Sequence, residues 1–387
     1  MNLSVTKTDD LTERFRAATA AHARRHPGRV EGRQPVHTVF VPADRFSRTT
    51  APDLGAEALR LLNKHTPGDG SFGATFMLDP SLAGVIRARV AAKLAKDPVE
   101  DLRIDFSDAY GARPDDEEDA DIAQVVEAVA GAYQSQQLPH FWGIRVKSLA
   151  SAARSLRTID GFLTSLRDRL GRLPGGFVIG VPDVLGPDQV MVFADYLDRL
   201  ESSLGLPSKT LHCELQLDHP SALPVAADIL KAAAGRVQTL HFGATSYALA
   251  LDLPPEQQRL DHPACDHARH LLQVATADTP VRLSDGPPNL SPRDDGADEV
   301  TSTWQTHSKQ VRHSLNHGYY QGWDLHPAHL PARYATLYDF HLTGAEEAIG
   351  KIRAWQASGT PPTTTIQSLT ARLKRGIACG ALDPSAL

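Results

Sequence analysis

The sequence predicts an α/β fold, a closed (β/α)8 TIM barrel, and three observations predict it. Short runs rich in β-branched and aromatic residues alternate with longer stretches whose apolar residues recur at i, i+3 and i+4. Eight such runs occur along the chain, and several are apolar on both faces, as parallel strands covered on both sides must be. The length, 387 residues of which 41% are hydrophobic, accommodates a barrel with additions at both ends. On pattern alone an open, doubly wound sheet fits equally. No GxGxxG or GxxxxGK[ST] loop follows any strand, which removes the strongest signals for a dinucleotide or nucleoside triphosphate site.

In chain order, residues 1–32 read as an N-terminal helical extension: 10-DLTERFRAATAAHARRHPG-28 has helical spacing through Leu11, Phe15, Ala18 and Ala21 and stops at Pro27-Gly28. The barrel occupies 33–340. Its strands are HTVFVP (37–42), LRIDFS (102–107), FWGIRVK (141–147), FVIGVP (177–182), LHCELQL (211–217), QTLHFG (238–243), PVRLSD (280–285) and YYQGWD (319–324). Between them the spacing predicts helices, among them 118–133, 150–170, 187–204 and 221–234. A long insertion, 46–82, follows the first strand, and a Pro-, Gly- and Asp-rich loop, 286–300, follows the seventh. Residues 341–387 read as a helical C-terminal tail suited to contacts with a neighbouring subunit.

Composition narrows the function classes. Forty basic against 46 acidic residues give a net charge of -6, and no basic block stands out, which argues against a nucleic-acid partner. No apolar run approaches the ~20 residues of a membrane helix, and the N-terminus lacks the apolar core of a signal peptide, so a cytoplasmic protein is expected, away from membranes. Cys213, Cys265 and Cys379 are odd in number and widely spaced, and are expected as buried thiols. Most histidines, His22, His26 and His317 among them, are expected at the surface.

Barrel chemistry gathers at the C-terminal ends of the strands, and these ends are unusually polar. Arg45 follows the first strand and Arg145 lies in the third; a guanidinium fork on either suits a substrate carboxylate. Asp105, Asp108, Asp183 and Asp218 close the second, fourth and fifth strands and suit a divalent cation or acid–base work. Period-2 alternation puts Glu214, Gln216 and Asp218 on one face and Arg145 with Lys147 on another. Structural alternatives stand beside each reading: Arg45 as a surface ion pair, Arg145 paired to an internal carboxylate, Asp105 hydrogen-bonded to a strand end, Lys147 as a salt-bridged lysine, His326 as a helix cap.

The stretches 34-QPVHTVFVPADRF-46, 102-LRIDFSDAYG-111, 143-GIRVKSL-149, 240-LHFG-243, 282-RLSDG-286 and 319-YYQGWDLHPAHLPARYA-335 resemble the HpcH/HpaI aldolase and citrate lyase beta-subunit family, most closely an actinobacterial aldolase-like branch. The resemblance runs from about 33 to 340 and implies the barrel and a homo-oligomer. It also implies Mg2+ held by a glutamate ending the fifth strand and an aspartate ending the sixth, and C–C bond cleavage or formation on a keto acid or acyl substrate whose carboxylate a third-strand arginine holds.

Arg145 keeps that arginine. Asp218 stands where the branch has glutamate, Ser246 where it has aspartate, Asp183 where it has lysine, and Ser107 where it has glutamate. The four exchanges leave their summed charge unchanged but move it. The expectation is therefore a divergent aldolase- or citrate-lyase-like carbon–carbon lyase of specialised metabolism. Asp218, Asp183 and Arg145 are catalytic, and Arg145, Arg45, Ser246, Ser107, Asp108 and Gln216 bind a small carboxylate substrate. Asp218 is the remaining metal position. Two further readings stay open: a metal-independent enzyme using Asp183 and Asp218 as acid and base, and a non-catalytic ligand-binding protein.

Overall fold

The computed structural model describes residues 5–28, 32–288 and 290–387. Residues 1–4 and 29–31 of the N-terminal extension and Asn289 of the loop after the seventh strand lie outside it. Eight strands form: β1 (His37–Pro42), β2 (Asp101–Asp105), β3 (Phe141–Arg145), β4 (Phe177–Val181), β5 (Cys213–Leu217), β6 (Val237–Phe242), β7 (Arg282–Ser284) and β8 (Gly322–Asp324). All pair in parallel in the order β7-β6-β5-β4-β3-β2-β1-β8. At the remaining seam, between β7 and β8, the Asp285 amide donates to the Gln321 carbonyl at 2.8 Å. The Gln34 side chain spans the same gap, donating to the Leu283 carbonyl and to Gln321 Oε1. The expected barrel therefore forms, with helices outside it.

Where elements differ from the sequence reading, local chemistry explains it. β2 stops at Asp105, two residues early, because its carboxylate accepts the amides of Ser107 and Ala109 and turns the chain. The helix expected over 221–234 shortens to Ala226–Ala232 behind a 3-10 turn at Leu223–Val225, where Pro224 has no amide to donate. The insertion after β1 is helical, at 50–65 and 69–76. The tail folds as helices 345–358 and 364–378 around a small cluster of Ala345, Ala348, Ile352, Leu373 and Leu382. All three cysteines are buried. No described helix is long and apolar enough to cross a membrane.

The inner wall of the barrel is polar as well as apolar. Arg103 is buried between Asp101, at 2.6 Å, and Glu214, at 2.7 Å. Glu214 also faces His241 Nε2 at 3.1 Å. Burial alone pushes the Glu214 carboxyl up, but Arg103 and His241 outweigh it and hold it at about 2. Asp101 accepts from Thr38, and Thr38 from Gln321. Gly143 makes this packing fit: a Cβ there would lie 1.8 Å from the Val178 carbonyl oxygen.

A second buried hub ties β8 and β1 to the outer helices. Asp324 takes both Nε and Nη2 of Arg333, at 2.7 and 2.9 Å, and contacts His37 Nδ1 and His307 Nε2 at 2.8 and 3.0 Å. Burial opposes ionisation here too, yet Arg333 and the histidines hold Asp324 well below the usual carboxylate range. His37, His241, His307, His329 and His341 are thus interior residues, while His22, His26 and His317 are exposed as expected.

Asp324→Ala strands a buried guanidinium and two buried imidazoles. Urea unfolding followed by circular dichroism is expected to show a loss of about 3–5 kcal/mol. A loss under about 1 kcal/mol would show that water replaces the carboxylate without cost.

Candidate active site at the barrel mouth

Arg145 ends β3 and points into the barrel at its C-terminal mouth. Burial disfavours its charge, but Asp105 and Asp108 more than offset this and raise its pKa. Its Nη1 donates to both Asp105 oxygens at 3.4 Å, and its Nη2 donates to Asp108 Oδ2 at 2.8 Å and to Gln216 Oε1 at 3.0 Å. The rings of Trp323 and Phe40 flank the guanidinium, at 5.7 and 5.9 Å from its carbon. Asp105 plays the strand-end role, with its backbone bonds added to the arginine. Asp108 differs: 76% of its side chain is exposed although it holds the shortest bond to Arg145. Ser107 is buried beside it, its hydroxyl donating to Asp108 at 3.4 Å.

Gln216 relays this cluster to the next strand end. Its oxygen accepts from Arg145 and its Nε2 donates to Asp218 Oδ2 at 2.9 Å. Asp218 is buried just past β5, and Gly243, at the end of β6, leaves it room: a Cβ there would lie 2.4 Å from Asp218 Cβ and 3.0 Å from Gln216 Nε2. Across from Asp218 stands Asp183, exposed after β4 in the left-handed region at φ 53°. Aspartate tolerates that conformation better than most residues, yet it still costs energy, and such residues concentrate at functional sites. Burial first, and the Asp183 charge second, push the Asp218 carboxyl up to about 6.

The mouth therefore brings together Arg145, Ser107, Asp108, Gln216, Asp218 and Asp183. Arg45 and Ser246 do not join them. Arg45 lies exposed on the turn Ala43–Arg45 and forms no ion pair among the described residues, while neighbouring Asp44 pairs with Arg113 at 2.7 Å. Ser246 is exposed on the helix Ala244–Ala250, because β6 ends at Phe242 and the chain turns into that helix at once. Lys147, past the end of β3, turns outward to Glu118 at 2.7 Å. His326 caps its turn, with Nδ1 accepting from the Ala328 amide. Trp323, Phe40 and His241 line the mouth without having been singled out from the sequence; inward-outward alternation along β1, β6 and β8 was the available signal.

Of the two metal positions that the resemblance implies, Asp218 supplies a carboxylate and Ser246 does not. Asp183 provides a second carboxylate next to Asp218. No lysine or arginine pairs with either among the described residues. Two adjacent carboxylates without a cation fit a hard divalent ion, which prefers oxygen ligands, and equally fit a shared proton.

A sequence profile described as Domain of unknown function (DUF6986) matches residues 15–387, and the chain belongs to that family. No curated protein matches it. Among solved structures, a citrate lyase from Burkholderia xenovorans LB400 is 19% identical and superimposes with a TM-score of 0.57 over 77% of this chain and 90% of that one. The Haloferax volcanii malate synthase in its magnesium/glyoxylate complex is 15% identical, with a TM-score of 0.54 over 92% of this chain and 99% of that one. Its lead(II) complex is 14% identical, with a TM-score of 0.53 over 89% and 90%. At these identities the likeness is one of fold.

The raised Asp218 pKa makes a stability prediction. Below the unfolded-state value near 3.8 both states are protonated and the group costs nothing. As pH rises toward about 6 the unfolded chain ionises more readily, so the native state loses stability, by up to about 3 kcal/mol above pH 6. Asp218→Asn is therefore expected to be more stable than the wild type at pH 7.5, with the advantage shrinking by pH 4, as measured by urea unfolding at both values. An advantage independent of pH would refute the shift.

Proposed function

We propose that this member of the DUF6986 family is a carbon–carbon lyase or aldolase that cleaves or forms the bond beside the carbonyl of a small keto acid or acyl substrate bearing a carboxylate. The observation that carries the reading is the pairing of Asp183 with Asp218 at the barrel mouth, joined through Gln216 to Arg145. An anion-binding guanidinium and a proton-holding carboxylate are thereby linked by one side chain. The fold neighbours, a citrate lyase and a malate synthase solved with magnesium and glyoxylate, support the same class of chemistry. The resemblance of the strand-end motifs to an actinobacterial aldolase-like branch fits it too.

In this reading Arg145 binds the substrate carboxylate. Asp108, exposed and held by a single ion pair, gives up Nη2 to the incoming carboxylate, while Asp105 and Gln216 keep the guanidinium in place. Trp323 and Phe40 wall the reacting carbons from water. Asp218, with a pKa of about 6, takes or returns the proton at the carbon beside the carbonyl, near neutral pH where such a group is most effective. Asp183 keeps that pKa raised by its charge. Asp218 and Asp183 would also hold Mg2+, which when bound supplies polarisation of the substrate carbonyl. The raised pKa favours a second form of the proposal, in which the pair works by proton transfer without the ion.

A panel of 4-hydroxy-2-oxo acids and 3-hydroxyacyl thioesters, followed by release of the keto acid or aldehyde, tests the reading. Arg145→Ala is expected to abolish turnover with an unchanged circular dichroism spectrum. Asp218→Asn is expected to lower kcat by about 100-fold or more. The pH profile of kcat/KM should carry a limb near 6 that moves down in Asp183→Asn. Turnover that survives Arg145→Ala would sink the proposal. Ligand binding without turnover, indifferent to Asp183 and Asp218, would mark a binding protein instead. Loss of activity on chelation, restored by Mg2+, separates the metal-assisted form from the metal-free one.

A further inference from the structure

Away from the mouth, a second constellation of ligand atoms sits outside the barrel wall. Asp266 lies in the first turn of the helix Pro263–Thr276, and His313 and His317 lie one turn apart at the C-terminal end of the helix Ala297–Asn316. His313 Nε2 is 2.7 Å from Asp266 Oδ1, and His317 Nε2 is 3.8 Å from the same atom. One ligand atom from each residue lies within 4.8 Å of the others. All three side chains are partly exposed, His317 by 40%, so an ion could reach them from solvent.

From these atoms we infer that Asp266, His313 and His317 form a binding site for a divalent transition-metal ion of the zinc type. Tetrahedral coordination with bonds of about 2.0–2.1 Å places ligand atoms roughly 3.4 Å apart, between the two separations seen here. The site is also prepared electronically. His317 Nδ1 lies 2.8 Å from the His313 carbonyl, which can only accept, so Nδ1 carries the hydrogen. In the neutral ring this leaves the Nε2 lone pair facing Asp266, as a ligating imidazole is normally fixed by the partner of its other nitrogen.

The two imidazoles lie with centroids 4.3 Å apart. Asp266 Oδ1 also accepts from Arg269 Nη1 at 2.6 Å. A carboxylate oxygen has a lone pair to spare, and Arg269, itself fixed to Asp285, holds the carboxylate in orientation. The arginine charge and two nitrogen ligands select against magnesium or calcium and in favour of zinc, nickel or copper.

The site's place in the fold gives it a role. Arg269 links Asp266 to Asp285, whose amide makes the bond to Gln321 across the β7–β8 seam. An ion at the triad joins the helix that precedes β7 to the helix that precedes β8, and so clamps the barrel where its ladder is thinnest.

The test is isothermal titration of the EDTA-treated, desalted full chain with ZnCl2, together with Co2+ absorption and thermal unfolding. One equivalent is expected, with the visible absorption of four-coordinate Co2+ and a higher Tm on Zn2+ addition. His313→Ala and His317→Ala should each weaken binding by at least about tenfold and lose the Tm rise. A double variant, H22A/H26A, removes the other exposed histidine pair that stacks one turn apart and should behave as wild type. Absence of binding, binding that survives both single variants, or loss in H22A/H26A would each overturn the site. Binding at the triad without a Tm rise would overturn the clamp.

Discussion

A closed parallel barrel has an interior that water does not reach, and every polar group pointing inward must find its partner there. This chain accepts that constraint along one line of side chains. Gln34 and Gln321 bridge the seam; Gln321 reaches Thr38, Thr38 reaches Asp101, and Arg103 joins Asp101 to Glu214 and His241. Trp323 donates to His241 at 2.6 Å and brings the line to the mouth, where Arg145 takes over. Arg103, with five donors in a fixed fork, serves two carboxylates on different strands at once, which a lysine could not do with the same geometry.

Satisfaction of the interior makes the mouth distinctive by contrast. Below it, Glu214 and Asp324 are held ionised by arginine and histidine. At the mouth, Arg145 is shared among Asp105, Asp108 and Gln216, and among the described residues no lysine or arginine pairs with Asp218 or Asp183. Asp218 responds as a buried carboxyl beside a like charge must, by holding its proton to higher pH. The same residue type thus sits below its usual pKa range at Asp324 and above it at Asp218, and the difference comes from neighbours alone.

The sequence made the strands legible because their alternation and length are local properties, and all eight lie where the pattern puts them. The candidate site was legible in part. Strand-end position identifies Arg145, Asp183 and Asp218, and period-2 alternation puts Glu214, Gln216 and Asp218 on one face. It could not show that Gln216 bridges Arg145 to Asp218, since that depends on the register of β3 through β5. Arg45 and Ser246 follow their strands by a few residues and lie exposed, on a tight turn in one case and an early helix in the other. The five interior histidines were not legible, because a buried imidazole and an exposed one look alike in sequence and only packing places His307 inside.

The sequence by itself determined the alternation of eight strands with helices, the order of these elements, the polarity of the strand ends and the third-strand arginine, because these depend on periodicity and on residue type at a turn; closure into a barrel was indicated only through family resemblance. Tertiary structure decided which carboxylates meet, which arginine is buried, and which histidines converge with Asp266 across two helices. Those outcomes rest on distances of a few ångströms between residues tens of positions apart, and charge interactions in a low-dielectric interior change steeply over such distances.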